Sequence, residues 1–243
     1  MVLHTGARKV DRVDVEMVEA PPPTKSWFPV RHRDVLRTVE ERLTEAGFAI
    51  ARSQFALTAT GARFFGTLDL TASIVDGVNL SVGIRNSIDK SFPIGFCCGE
   101  RVFVCDNLAF GASTIIAKKH TRFGSQRFSE RLSDVILGLS EYQIQAKQRI
   151  YRLQCHELSA DQANSLILQA FEHGVVSYRT LPKVIQEYRT PRHQEFEPRT
   201  AWSLLNAFTE ILKVRQSNPA MFASLTIRLQ GLLDPVAPLA VAT

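Results

Sequence analysis

The spacing of apolar residues divides the chain into an early sheet-forming part and a later helical part. Residues 32–46 carry apolar side chains at helical spacing, on the face opposite their Arg and Glu residues: Val35, Leu36, Val39, Leu43 and Ala46. Gly47 follows directly, and glycine is the residue type that most often ends a helix in the left-handed conformation. The pattern therefore predicts one helix that ends just before Gly47.

Three segments after this helix are typical of β-strands: residues 48–57, 62–72 and 78–88. In the second and third of them apolar and polar side chains alternate, which is the period of a strand with one covered face. Short Ala-Thr-Gly and Val-Asp-Gly turns separate the three segments. The pattern predicts an antiparallel meander, with a fourth strand formed by Val102, Phe103, Val104 and Cys105.

Helical spacing returns in the second half of the chain. From Arg127 to Cys155 one apolar stripe predicts a long helix, which Gly138 weakens locally. Further helices are predicted from residues that commonly cap helix starts, at Ser159, Thr180, Thr200 and Asn218.

These elements predict an α+β fold with an N-terminal helix plus an antiparallel β-meander sheet, followed by a long helix and a C-terminal helical subdomain. Residues 1–26 end in three consecutive prolines and are predicted to form a flexible N-terminal lead. Residues 27–125 are expected to form the sheet core. Residues 126–243 are expected to be a helical part packed on the same domain.

The net charge of +5 is concentrated in one segment. Residues 111–160 contain eight Lys or Arg and four Asp or Glu, a surplus of four positive charges. Such a surplus indicates a negatively charged partner, although a solvated helix can carry the same surplus. No apolar run is long enough to span a membrane, and the first residues lack a signal-peptide pattern. A cytoplasmic protein with free thiols and no membrane partner is therefore expected.

The residues that could contact nucleic acid follow the ends of the predicted strands. Their basic side chains would neutralise phosphates, and their amides and hydroxyls would donate to phosphate or sugar oxygens. Bases could stack on Phe92, Phe123 or Phe128. We expect the strand ends to bring all these groups to one rim of the sheet: Arg85, Asn86, Ser87, Lys90, Arg101, Asn107, Lys118, Lys119, His120 and Arg122.

Two other interpretations of the same residues remain open. Asn, Ser and Asp at strand ends commonly form turns, and Asp89 and Asp106 could simply pair with Arg85 or Arg101. Alternatively, Asp89, Asp106 and His120 could form a metal or acid–base set. Their spacing matches no established catalytic motif, and no phosphate-binding or dinucleotide-binding glycine pattern is present. The sequence therefore predicts no catalytic residue, no metal and no cofactor.

Four segments carry a resemblance to a known family: residues 83–91 (GIRNSIDKS), 95–110 (GFCCGERVFVCDNLAF), 118–121 (KKHT) and 200–210 (TAWSLLNAFTE). In this order they resemble the domain of unknown function 932 family of phages, plasmids and integrative elements, over roughly residues 35–213. The resemblance implies a mobile-element protein in the cytoplasm of a bacterial host, and it supplies no catalytic residues. The order of helix, meander and long helix is also similar to that of ring-forming single-strand annealing proteins, an analogy of fold alone.

The leading hypothesis is a nucleic-acid-binding accessory protein of a phage or plasmid. It would contact single-stranded DNA in recombination, replication or repair, without catalysis, and a homo-oligomer is a further expectation. The alternative is an anti-defence protein that binds and inhibits a host immune protein.

Overall fold

The computed structural model describes residues 7–102, 107–110, 116–213 and 219–236. The fold is α+β, with strands early and helices later. The strands are β1 (Ala7–Val10), β2 (Ile50–Thr58), β3 (Arg63–Val75), β4 (Val78–Ser87), β5 (Ile94–Val102), β6 (Asn107–Phe110) and β7 (Ile116–Lys118). The helices are α1 (Arg12–Met17), α2 (His32–Glu45), α3 (Gly124–Leu137), α4 (Leu139–Cys155), α5 (Ala160–Glu172), α6 (Leu181–Arg189), α7 (Ala201–Leu212) and α8 (Pro219–Leu233).

All strand pairs are antiparallel, and β1 to β6 follow one another across the sheet in chain order. β7 shares an edge of β5 with β6, because β6 pairs with Gly99–Val102 and β7 with Ile94–Phe96. The predicted meander is confirmed. The fourth strand begins earlier than predicted, since β5 spans Ile94–Val102, and residues 103–106 lie outside the described part.

Alternation along β3 divides the sheet into two faces. Phe64, Leu68 and Leu70 are fully buried in the main apolar core, whereas Phe65 on the opposite face belongs to a separate small cluster. The turn into β4 contains Gly77 with φ of +71°. Glycine adopts this left-handed conformation without steric cost, which suits a tight turn between two strands.

One buried apolar cluster joins the core face of the sheet to the helices. α2 contributes Val35, Leu36, Val39 and Leu43, the apolar face predicted for this helix, and Gly47 follows it with φ of +83°. Helices of the second half enter the same cluster through side chains such as Ile150 of α4 and Phe208 of α7. In the described part of the chain, no helix is both long and apolar enough to cross a membrane.

The N-terminal lead differs from the prediction. β1 pairs with β2 in a four-residue register, and Val15 of α1 is fully buried in the core cluster. Arg12 of α1 also makes a double hydrogen bond to the carboxylate of Glu40 in α2, at 2.7 and 2.8 Å. The prediction of a flexible lead is therefore wrong for residues 7–17. This segment pairs with β2, and its Val10 and Val15 side chains are buried in the core cluster.

Helix boundaries in the second half follow the predicted caps. The long helix is interrupted at Gly138, which separates α3 from α4. Ser159 forms the predicted capping box with Gln162, and the Thr200 hydroxyl accepts a hydrogen bond from Ser203 N. α8 begins at Pro219, while the predicted cap Asn218 lies outside the described residues.

Candidate nucleic-acid interface

The predicted polar residues form three groups: residues 85–90 at the end of β4, residues 118–122 after β7, and Arg101 with Asn107. The first two groups meet at one end of the sheet. β4 ends at Ser87, and β5 begins at Ile94, which pairs with Lys118 at the end of β7. The β4–β5 turn and the β7–α3 turn therefore lie side by side. We call the unpaired cations of these turns, together with Phe123 and the tryptophan that contacts Lys90, the rim surface: Trp27, Lys90, Lys118, Lys119, Arg122 and Phe123.

The third group lies at the opposite end of the sheet. Val102 pairs with both Asn107 and Val78, and Val78 begins the strand that Arg85 nearly ends. Seven residues of strand separate Val78 from Arg85, a distance of about 23 Å. The prediction of a single rim is therefore wrong for Asn107 and its neighbour Arg101. Asp106 lies outside the described residues.

Asn86 and His120 hold the segment that precedes α2. The Asn86 side chain donates to Val30 O at 2.8 Å and lies 2.9 Å from His32 Nδ1. His120 Nδ1 accepts from Val30 N at 3.3 Å, and His120 O accepts from Phe28 N at 2.9 Å. Both side chains are buried, so the structure gives them a role in holding this segment rather than an exposed surface.

Burial keeps the two histidines of this junction neutral. It lowers the pKa of His32 to about 4, and a hydrogen bond from His32 Nε2 to Gly61 O at 2.9 Å opposes this only in part. Burial also lowers the pKa of His120. Neither imidazole therefore carries the positive charge that a phosphate contact would use at neutral pH.

The β4–β5 turn is closed by its own side chains. The Ser87 hydroxyl donates to Phe92 O at 2.7 Å and accepts from Phe92 N at 3.1 Å. Asp89 accepts from Arg63 Nε at 2.9 Å and from Ser91 N at 3.0 Å. Ser87 and Asp89 thus follow the turn-forming interpretation, although the arginine that pairs with Asp89 is Arg63 rather than Arg85.

Lys90 stands apart from the rest of this turn. Its φ of +66° places it in the left-handed region, which is uncommon for a residue with a side chain. Its ammonium group lies 5.0 Å from the centre of the Trp27 ring. This cation–π contact joins the β4–β5 turn to the N-terminal segment. Lys90 is exposed and forms no salt bridge with a carboxylate of the described residues.

The Arg85 side chain lies across the surface of the sheet, against its neighbours Phe92 and Gly95. Its guanidinium lies 5.5 Å from the centre of the Phe92 ring, and a Cβ on the neighbouring Gly95 would come within 2.7 Å of its Nε atom. Phe92 itself packs on Phe65 at a centroid distance of 5.5 Å. Arg85 is therefore half-buried between a ring and a glycine, which leaves Phe92 less accessible to a stacked base.

Arg101 belongs to a buried ion pair. Its Nε donates to Asp69 at 2.7 Å, and the same carboxylate accepts from Arg52 Nε at 2.8 Å and from the Ser81 hydroxyl at 2.7 Å. Only 3% of the Arg101 side chain is exposed. Arg101 is therefore paired inside the protein and is not accessible for the predicted phosphate contact.

The remaining cations lie on the β7–α3 turn. Lys119 and Arg122 are exposed and Lys118 is half-buried. The Arg122 guanidinium lies 5.8 Å from the centre of the Phe123 ring, which is 54% exposed. No described carboxylate forms a salt bridge with any of these three cations. Phe128, by contrast, is buried in the core and offers no ring to a base.

The geometry of the described residues does not support the interpretation of Asp89, Asp106 and His120 as a metal or acid–base set. Asp89 is paired with Arg63, and His120 is buried against the N-terminal segment. Within the described ranges, no three His, Cys, Asp or Glu side chains are grouped closely enough to hold a metal ion. Burial raises the pKa of the half-buried Cys97 thiol to about 12, which makes its thiolate form scarce at neutral pH.

Sequence reasoning missed Trp27 and Arg63 as members of this region. Trp27 contacts Lys90 and Arg63 pairs with Asp89, each across a long stretch of chain. The polar residues of the two turns were visible in the sequence, but their contacts with Trp27 and Arg63 were not. No family model matches the chain, and no curated protein or solved structure matches it significantly.

Proposed function

We propose that the chain binds single-stranded nucleic acid, preferentially DNA, at the rim surface, as an accessory protein of a phage or plasmid in recombination, replication or repair. The observation that carries the proposal is the group of cations at this rim. Lys90, Lys118, Lys119 and Arg122 form no salt bridge with a described carboxylate, and two of them lie beside aromatic rings. The mobile-element context rests on the family resemblance alone.

Contacts between such cations and phosphates favour binding, because each contact releases counterions from the nucleic acid. A cation that is already paired with a carboxylate contributes less binding free energy. Arg63 and Arg101 are paired in this way, whereas the cations of the rim surface are not paired with a described carboxylate. Phe123 supports a preference for single strands, because its exposed ring can stack on an unpaired base. In duplex nucleic acid the base faces are covered by their neighbours, so this contact would be lost.

The test is binding of labelled oligonucleotides, measured by fluorescence anisotropy. The rim variant carries Lys118→Ala, Lys119→Ala and Arg122→Ala. A control variant of equal charge carries Lys147→Ala, Lys183→Ala and Arg189→Ala, which are exposed cations on α4 and α6 without a salt bridge to a described carboxylate. At about 50 mM salt we expect the rim variant to bind single-stranded DNA at least about tenfold more weakly than the wild type. The control should stay close to the wild type.

The strand preference has its own variant, Phe123→Ala. Losing one stacked base costs about 1–3 kcal/mol of binding free energy. We expect this loss for single-stranded DNA and little change for a duplex of the same length. Equal losses in rim and control variants would refute the site, and no binding by the wild type at low salt would refute the function and favour a protein partner instead.

A further inference from the structure

A cavity of about 450 Å³ lies at the end of the sheet opposite the rim surface. It is formed between the β3–β4 turn, the last turn of α4 and the segment that leads into α7. Its volume is within the range of sites that bind small ligands or single side chains. We call it the α7 cavity, and its polar and aromatic lining includes Asp76, Gln154, Glu195, Phe196, Thr200 and Trp202.

Backbone hydrogen bonds hold the wall of the α7 cavity in place. Leu158 N donates to Arg199 O at 2.7 Å, and Ala201 N donates to His156 O at 2.9 Å. The Arg199 guanidinium in turn donates to the last carbonyl groups of α6. The segment before α7 is therefore tied both to the end of α4 and to α6, so the cavity is formed before any ligand enters it.

The charged side chains that line the cavity are acidic. Asp76 of the β3–β4 turn and Glu195 of the short 3-10 helix Gln194–Phe196 are both exposed. Neither forms a salt bridge within the described part of the chain. No Lys, Arg or His is among the described residues that line the cavity. Two unpaired carboxylates in a chain of net charge +5 favour a cationic ligand at this place.

The N-terminus of α7 does not reverse this preference. Its amide groups already have acceptors, since Ala201 N donates to His156 O and Ser203 N donates to the Thr200 hydroxyl at 3.2 Å. The helix dipole contributes about half of a positive charge. The two carboxylates outweigh this, so the cavity favours a cation over an anion.

The aromatic part of the lining adds two further features. Phe196 and Trp202 line the cavity and are only 6% and 7% exposed. Their rings can attract a guanidinium or ammonium group. The indole N–H of Trp202 also makes no hydrogen bond with a described residue. Buried indole N–H groups usually have an acceptor, so a ligand that carries an oxygen acceptor would satisfy this donor.

We propose that the α7 cavity binds an arginine residue of a peptide. The guanidinium lies at Asp76 and Glu195, and a peptide carbonyl oxygen accepts from the Trp202 indole. A peptide residue supplies both the cation and a nearby acceptor, whereas a simple amine supplies the cation alone. Arginine suits the lining better than lysine, because its planar guanidinium stacks on aromatic rings and pairs with carboxylates. This binding does not depend on the rim surface.

Trp202 provides a direct signal from the cavity, because the chain has two tryptophans and the other is Trp27. In a Trp27→Phe background, the emission of Trp202 is followed while the peptide Gly-Gly-Arg-Gly-Gly is added. We expect a saturable change. The same peptide with citrulline in place of arginine keeps the shape of the side chain but not its charge. It should bind at least about tenfold more weakly.

The role of the carboxylates is tested by Asp76→Asn combined with Glu195→Gln in the same background. Both changes keep the size of the side chain, and asparagine suits a turn as well as aspartate does. We expect binding of the arginine peptide to weaken at least about tenfold. The matched control combines Glu141→Gln with Glu172→Gln, which removes two exposed carboxylates of α4 and α5 that form no described salt bridge. This control should bind the peptide as the background does.

Propylguanidinium tests the acceptor, because it carries the guanidinium without a carbonyl group. It should bind more weakly than the arginine peptide, and equally tight binding would overturn the role given to the peptide carbonyl. Three other results overturn the proposal as a whole. These are no saturable emission change together with no heat in titration calorimetry, equal binding of the arginine and citrulline peptides, and equal binding by the double variant and its control.

Discussion

Replacing Glu100 by glutamine is expected to lower the free energy of unfolding by about 3 kcal/mol or more. Glu100 points from β5 into the core, where it accepts a hydrogen bond from the Tyr142 hydroxyl at 2.9 Å and pairs with Arg149. The glutamine keeps an acceptor for Tyr142 but removes the negative charge. Among the described residues, Arg149 then keeps only the carboxylate of Asp234 as a neighbour, at 3.9 Å. Urea unfolding followed by circular dichroism measures the loss.

The control is the double variant Glu100→Gln with Arg149→Met. Replacing both members of a buried ion pair often costs little, because no charge is left without its partner. We therefore expect the double variant to be more stable than Glu100→Gln alone. If the double variant is less stable than the single one by the full cost of a second independent substitution, the charge pair is not what holds α4 on the sheet.

Acidification from about pH 7.5 to about pH 5 is expected to remove about 2 kcal/mol of stability through His32 alone. Burial lowers the pKa of His32 to about 4, below the ordinary value of 6.5 that the unfolded chain restores. Between these two values the unfolded state binds a proton that the folded state rejects. Stability therefore falls as the pH drops from 6.5 towards 4. His120, whose pKa burial also lowers, adds to the same trend.

His32→Gln separates this effect from the carboxylates that titrate in the same range. Glutamine does not titrate, and its amide can replace one of the hydrogen bonds that His32 makes to Gly61 and Asn86. The variant should be less stable than the wild type at about pH 7.5 but should lose about 2 kcal/mol less on acidification, both measured by urea unfolding. Parallel declines in the two proteins would contradict the role given to His32.

Regular periodicity predicted most of the fold. The apolar spacing in α2 and the alternation in β3 and β4 are local properties, and each produced an element close to its predicted range. β1 and α1 could not be predicted in this way. They are four and six residues long, and they depend on pairing with β2 and on the contact between Arg12 and Glu40.

The candidate site was only partly predictable, for a related reason. Polarity alone made Asn86 and His120 look like surface residues. They are buried because Val30, which lies far away along the chain, contacts both of them. Lys119 and Arg122 lie on the surface, and no carboxylate of the described residues pairs with either of them. Which polar side chains are free to bind a partner is thus decided by tertiary contacts that a local pattern does not contain.

The most direct test of the rim surface is the salt dependence of single-stranded DNA binding in the wild type and the rim variant. Each phosphate contact in a single strand contributes about 0.7 to the slope of log affinity against log salt concentration. Removing Lys118, Lys119 and Arg122 should therefore reduce the slope by about 2, while the control variant keeps the wild-type slope. A rim variant whose slope equals that of the wild type would contradict phosphate binding by these residues.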